Sequence, residues 1–275
     1  MDLCHHLEKL KAQRYLFGLL VAGVTVWSFL VPDAAMFQHP EFARIFFWHI
    51  PCPINQQIFM LVGAYFALAF FLTPQSDLRK RMLCDSRAEA ALDLSMIFAV
   101  LTIVSGMIFS QVEWGIYWDW DPRQYSYLIV VLIIGAYFAV RAAFPDPERR
   151  ASHSSAYVLT ATLPVFFLVF VFPYLPGIEN NSLHPSGTIF GGGLKGDYLY
   201  VFLTVLTLVT WISVWLYRMR VRANFLEFEL ANGQLEIHRS LAAPATVVRP
   251  VSVSDENGKQ TESPRKADQG VSGRE

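Results

Sequence analysis

Two histidines and one aromatic run are the residues of this chain best equipped for chemistry. His49 stands in "RIFFWHIPCPINQQ", His184 in "IENNSLHPSGTIFGGGLKGD", and between them "WGIYWDWDPRQYS" occupies positions 114–126. Neutral imidazole is the commonest biological metal ligand, and paired axial imidazoles are a familiar way to hold haem iron. Trp114, Tyr117, Trp118 and Trp120 offer flat aromatic surface to the face or edge of a porphyrin, and Arg123 can meet its propionate charge. Asp119 and Asp121 would repel propionates, so they suit orienting Arg123 or fixing a turn through hydrogen bonds. The set points to a planar, anionic, metal-bearing ligand. Plainer readings exist for each residue. Trp and Tyr form belts at membrane interfaces without any ligand, although the density here, with charges interleaved, favours a ligand. For His49 and His184, residue type alone leaves ligation and ordinary hydrogen bonding level. His39, in "MFQHPEF", reads as a solvated residue, Cys52 as a small buried hydrophobe, and the glycines at 191–193 as a flexible turn.

The elements that must position these residues belong to a membrane. Of the 275 residues 53% are hydrophobic and only 16% charged, well below the ~25% charged of soluble domains. A net charge of -1 gives no sign of a nucleic-acid partner, and Cys4, Cys52 and Cys84 contain no C-x-x-C pair. Six apolar runs approach the ~20 residues that cross the hydrocarbon core: Tyr15–Val31, Ile54–Thr73, Ala91–Ser110, Ser126–Phe144, Tyr157–Phe172 and Tyr198–Tyr217. Backbone polar groups cannot stay unpaired in lipid, so runs of this length predict helices and an all-α integral membrane protein. Ser95, Thr102, Ser105 and Gly106 suit close helix packing in the third span. Pro164, Pro173 and Pro176 predict a kink or an early exit from the fifth. "FLVPDAAMFQ" is a poor cleavage site, so the first span reads as an uncleaved anchor. The domain division is a segment 1–14, a six-helix unit 15–222, and a tail 223–275. Within the tail "ANFLEFELANGQLEIHRSL" prolongs the last helix or lies along the membrane, and the Ser-, Lys-, Glu- and Gly-rich remainder reads as disordered.

Basic residues set the orientation. Lys9, Lys11 and Arg14 precede the first span, Arg79, Lys80, Arg81 and Arg87 follow the second, Arg141, Arg149 and Arg150 end the fourth, and Arg218, Arg220 and Arg222 follow the sixth. The other loops hold one basic residue each: Arg44, Arg123 and Lys195. Both termini are therefore expected in the cytoplasm, with His49, the aromatic run and His184 on the outer face. The six runs as drawn contain no histidine and few charges. That argues against an electron-transfer cytochrome b with ligands at membrane depth, and against a transporter or channel with a charged path.

These segments resemble the CcmC family of cytochrome c maturation proteins. "WGIYWDWDPRQYS" is similar to the family's tryptophan-rich WWD signature, "RIFFWHIPCP" to its first histidine motif and "NNSLHPSG" to its second. The order His, WWD, His and the six spans also match. The resemblance implies that b-type haem is held at the outer face of a bacterial inner membrane, with His49 and His184 as axial ligands. Trp114, Gly115, Tyr117, Trp118, Trp120, Asp121 and Arg123 would shape the haem platform. It implies delivery of haem to a CcmE-like haem chaperone, alongside a CcmA/CcmB ABC transporter, a CcmD-like small subunit and membrane lipid. That is a transfer and assembly role more than enzyme catalysis. The chain departs from the family at Gln124 and Tyr125, where Leu and Thr are common, and at Pro122, which resembles the "WDP" of the related CcsA-type synthetases. A bis-His cytochrome b and a CcsA-like synthetase component are the alternatives.

Overall fold

The computed structural model describes residues 2–32, 37–184 and 195–242, with side chains over 13–32, 37–184 and 195–233. One compact unit runs from Met1 to Gly233, and the residues that follow form a second unit, described only as helix up to Ala242. The polar tail beyond Ala242, expected to be disordered, lies outside the described residues.

The described residues fold as helices, in the order α1 (Asp2–Leu30), α2 (Phe46–His49), α3 (Pro51–Leu72), α4 (Leu78–Trp114), α5 (Pro122–Ala143), α6 (Pro147–Phe166), α7 (Pro176–Glu179) and α8 (Asp197–Ala242). Six of the segments they build are long and apolar enough to cross a membrane. Local chemistry sets the ends. Asp77, Asp121 and Asp146 each accept a hydrogen bond from a first-turn N–H of the following helix. Pro51, Pro122 and Pro147 start helices where a missing N–H costs nothing. Gly115, at φ 74°, closes α4 in the left-handed conformation that an L side chain resists. At the far end of α1, Arg44 donates to the carbonyls of Ser28 and Val31 at 3.0 Å each. This isolated basic residue of the loop after the first span therefore serves as a helix cap.

Helices α3, α4, α5 and α6 form a ring, packed most extensively between α3 and α4, with α4 and α6 also touching across it. Met60, Leu92, Val130, Ile134, Tyr137, Val158 and Val165 fill its centre. A second apolar cluster joins Val24 of α1 and Val31 just after it to Phe46 and Phe47 of α2 and to Val201, Phe202 and Val205 of α8.

The helices outrun the apolar runs. α4 has 37 residues and α8 has 46, about 55 and 69 Å at ~1.5 Å per residue against a hydrocarbon core of ~30 Å. Arg79, Lys80, Arg81 and Arg87, expected in a loop, occupy the first turns of α4, and "ANFLEFELANGQLEIHRSL" prolongs α8. Hydropathy marks the part of a helix suited to lipid, whereas the helix continues while side chains find partners. Arg141 of α5 donates to Asp85 at 2.8 and 3.2 Å and to Glu89 at 2.9 Å, and Arg220 of α8 reaches Asp93 at 2.6 Å. Asp85 and Arg141 are buried, so the scarcity of charge noted in the apolar runs does not extend to the whole helices. By contrast Arg79 and Glu229 are 75% and 38% exposed. Arg79→Ala is expected to change stability by less than about 1 kcal/mol, read from thermal unfolding in detergent.

Two further differences bear on the site. The fifth span starts at Pro147 and loses α geometry after Phe166, passing through a π-helical turn, Phe167–Val171, and a 3-10 turn, Phe172–Tyr174. Pro164 lies inside α6, and its missing N–H and crowding ring loosen the turn around it. The second apolar stretch is longer than expected, Ala43–Leu72, and includes His49. Likewise the stretch Pro147–Tyr174 includes His153, which stacks on Phe144 at 4.1 Å. The apolar segments are thus not free of histidine. With 30 residues, Ala43–Leu72 is long enough for its first two turns to stand outside the ~30 Å core.

Candidate functional site

At one end of the helix ring lies a cavity of about 180 Å³, counted as the volume open to the centre of a water molecule. His49 and His184 both line it, together with Trp118 and Arg123. Its remaining wall is mostly apolar, from Ile54 of α3, Met107 of α4 and Phe170 of the π-turn.

His49 ends α2 and leans on α4. Its Nδ1 lies 2.8 Å from Ser105 Oγ, whose own proton is directed to the Leu101 carbonyl at 2.5 Å. Ser105 therefore accepts at His49, which assigns the imidazole proton to Nδ1 and leaves Nε2 with a free lone pair. The ring can lie this close because position 106 is glycine: a Cβ there would sit 3.2 Å from His49 Cε1.

His184 is held by Asp121. Nδ1 of His184 approaches Asp121 Oδ1 to 3.0 Å, off the line of a well-aligned hydrogen bond. A carboxylate only accepts, so the proton again belongs on Nδ1 and Nε2 is the basic nitrogen. Asp121 Oδ2 accepts from Ser182 Oγ at 2.9 Å and from the Leu183 N–H at 2.7 Å, while Oδ1 accepts from the Arg123 N–H at 2.9 Å. Burial pushes the Asp121 carboxyl up, but the His184 contact and the Arg123 and Leu183 N–H groups outweigh it and hold it down to about 2. One carboxylate thus caps α5, docks the loop that carries His184 and fixes that histidine's tautomer. Trp114 backs the ring from the other side, edge-on at 5.0 Å.

Arg123 places its guanidinium 5.1 Å from the Tyr174 ring. Its Nε and one terminal nitrogen are buried with no hydrogen-bond partner among the described residues. Buried donors left unpaired in a cavity wall are costly unless an anion answers them.

The sequence-derived site residues divide by position. His49, His184, Trp118 and Arg123 line the cavity. Trp114 and Asp121 stand behind His184, and Gly115 ends α4. Tyr117 and Trp120 are 56% and 68% exposed, with Trp120 edge-on to Trp118 at 5.6 Å and at a positive φ of 62°. His39 is exposed, its backbone N–H bound to Glu113. Residues the sequence did not single out as site residues are Ser105 and Gly106, read as packing positions, with Tyr127 and Tyr174 of the wall. Nothing in the spacing of Ser105 and Gly106 marks them as the seat of an imidazole.

Gln124 and Tyr125, the departures from the WWD pattern, work inside the molecule. Gln124 accepts from the Asp119 N–H at 3.1 Å and donates to the Tyr117 carbonyl at 3.2 Å, pinning the aromatic loop. Tyr125 packs edge-on against Phe172 at 5.6 Å. Gln124→Ala is expected to cost about 1–2 kcal/mol through these two hydrogen bonds. The check is faster proteolytic nicking or hydrogen exchange confined to positions 115–121.

The sequence model of the family described as CcmC, heme exporter protein C, matches residues 3–236. The chain belongs to that family. Relatives of the same description include heme exporter protein C of Paracoccus denitrificans, 26% identical over 203 residues, covering 72% of this chain and 78% of the relative. The Bradyrhizobium diazoefficiens protein is 26% identical over 220 residues, covering 79% of each. A cytochrome c biogenesis protein CcsA of a Synechococcus species is 31% identical, over only 109 residues, 40% of this chain and 33% of that one. The CcmC match spans the whole of the six-helix unit and the CcsA likeness 40% of the chain. As a CcmC family member the protein has a role in cytochrome c maturation, and it is a multi-pass membrane protein.

Proposed function

We propose that this CcmC family member binds b-type haem in the cavity between His49 and His184, at the outer face of a bacterial inner membrane, and hands it to a CcmE-like haem chaperone. A CcmA/CcmB transporter and a CcmD-like small subunit act with it. The observation that carries the reading is the pair of imidazoles on one cavity, from segments far apart in sequence, each with Nδ1 engaged and Nε2 basic. Two such nitrogens suit the axial positions of an iron whose other ligands come from a porphyrin. Arg123 supports the anionic part of that ligand, since its buried donors await a propionate-like partner, and Trp118 supplies a ring to the porphyrin.

Size supports delivery over storage. A cavity near 180 Å³ is close to the ~150 Å³ that accepts a benzene-sized guest. A porphyrin would seat its centre and one edge there and leave the rest accessible to a chaperone. Basic segments at the opposite end of the helices from the aromatic loop support the outward orientation.

The purified protein is expected to show a b-type haem spectrum. His49→Ala and His184→Ala are each expected to lower haem per protein at least tenfold while the elution profile in detergent is preserved. Unchanged haem content and spectrum in either variant removes that residue from the coordination sphere. Trp118→Ala is expected to lower chaperone loading more than membrane insertion.

A further inference from the structure

A second cavity lies at the other, basic end of the six-helix unit, between α1 and α8. It measures about 110 Å³ and is lined by Gln13, Arg14 and Phe17 of α1 with Trp211, Ile212 and Trp215 of α8. Phe17 meets Trp211 edge-on at 5.8 Å, and the Arg14 guanidinium lies 5.8 Å from the Trp215 ring. The groove therefore has apolar aromatic walls and a cation at its rim.

Helical register extends the positive charge. Residues 211, 215, 218 and 222 fall on one stripe of an α-helix, so Arg218 and Arg222 continue the face that Trp211 and Trp215 begin. All three arginines are exposed, and none has a carboxylate partner among the described residues. Arg220, on the far side, is by contrast paired with Asp93. The apolar window of α1 is only 11% buried within the protein, so this helix leaves wide apolar surface for another molecule to cover. Unpaired arginines at a membrane edge above an aromatic groove match a phosphate with acyl chains below it.

We propose that this groove is a binding site for one anionic glycerophospholipid of the leaflet at the basic face. Its phosphate is held by Arg14, Arg218 and Arg222, and its chains lie along Phe17, Trp211 and Trp215. Nothing in this site depends on haem or on the cavity at the other end. The lipid would add a link between α1 and α8 at this end.

The test is native mass spectrometry of the full chain released from mixed micelles holding equal phosphatidylglycerol and phosphatidylcholine. One retained phosphatidylglycerol is expected, favoured at least fivefold. Arg14→Gln with Trp215→Leu is expected to abolish the preference, and Arg14→Lys to keep most of it. Because Trp215 also packs, Arg218→Gln with Arg222→Gln gives a second arm that leaves the walls intact and should lower the preference at least twofold. Equal retention of the two lipids, or a preference unaltered in both double variants, overturns the proposal. So does a photo-crosslinker at position 212 that captures a protein helix in place of lipid.

Discussion

Asp121→Ala is expected to destabilise the protein by about 3 kcal/mol and to lower haem retention by one to two orders of magnitude. Three losses add on the stability side. The cap of α5 costs ~0.5–2 kcal/mol, and the Ser182 hydroxyl and Leu183 N–H lose their shared acceptor at ~1–3 kcal/mol. The total is below the sum because one rearrangement relieves several groups. On the ligand side, His184 loses the group that fixes its tautomer and ring, and removal of such a supporting partner typically costs 10–100-fold in metal affinity.

Asp121→Asn separates charge from shape. Asn caps a helix as well as Asp, so α5 keeps its start with the amide oxygen in the place of Oδ1, while the N–H₂ takes the place of Oδ2 and opposes the Ser182–Leu183 pair. Linkage sets the scale. The folded carboxyl sits at about 2, below its ordinary 3.8, a gap worth about 2 kcal/mol. A lowered value stabilises the fold fully above about pH 4, and this contribution fades as pH falls toward 2. Between pH 6 and 8 it is constant, so a loss of about 2 kcal/mol in the Asn variant, the same at pH 6 as at pH 8, is the expectation. Haem titration of Asp121→Ala in a His184→Ala background decides the mechanism. If Asp121 acts through His184, the second substitution removes no further haem affinity; a full additional loss would assign Asp121 some separate contact.

How much of this was legible in the sequence follows from what sequence encodes locally. Hydropathy located every long helix, because a lipid-facing run is a property of consecutive residues. It misplaced the start of α4 and the end of α8, because those turns are held by partners such as Asp85–Arg141 and Asp93–Arg220 that are distant in sequence. The two histidines and Trp118 could be picked out by type and spacing, and the cavity does gather them. Tyr117 and Trp120 belong to the same motif but face outward, since spacing in a short loop does not tell which side of the backbone a ring takes. Asp121 was legible as a residue that fixes a turn; that it also reaches the His184 loop, 61 positions away at Ser182, was not. Gln124 stood out only as a departure from the family pattern; that it binds its own loop was not legible.

Gly106 is the least conspicuous of these residues and makes the sharpest test of how His49 is seated. A Cβ at this position meets Cε1 at 3.2 Å and both ring nitrogens at 3.9 Å, so alanine asks the imidazole to yield by a few tenths of an ångström. Gly106→Ala is expected to weaken haem retention a few-fold. Gly106→Val adds two methyl groups against the ring, which must swing away and break the 2.8 Å bond to Ser105. Retention should then fall at least tenfold, close to that of His49→Ala. Stability should change little in the alanine variant. Gly106 lies within the long helix α4, where alanine gains about 1 kcal/mol over glycine, which offsets the small shift asked of the ring. Loss of haem without loss of thermal stability in haem-free Gly106→Ala is therefore the signature, one that a general packing defect cannot produce. Wild-type haem content in Gly106→Val would mean that His49 does not hold the iron from its seat on α4.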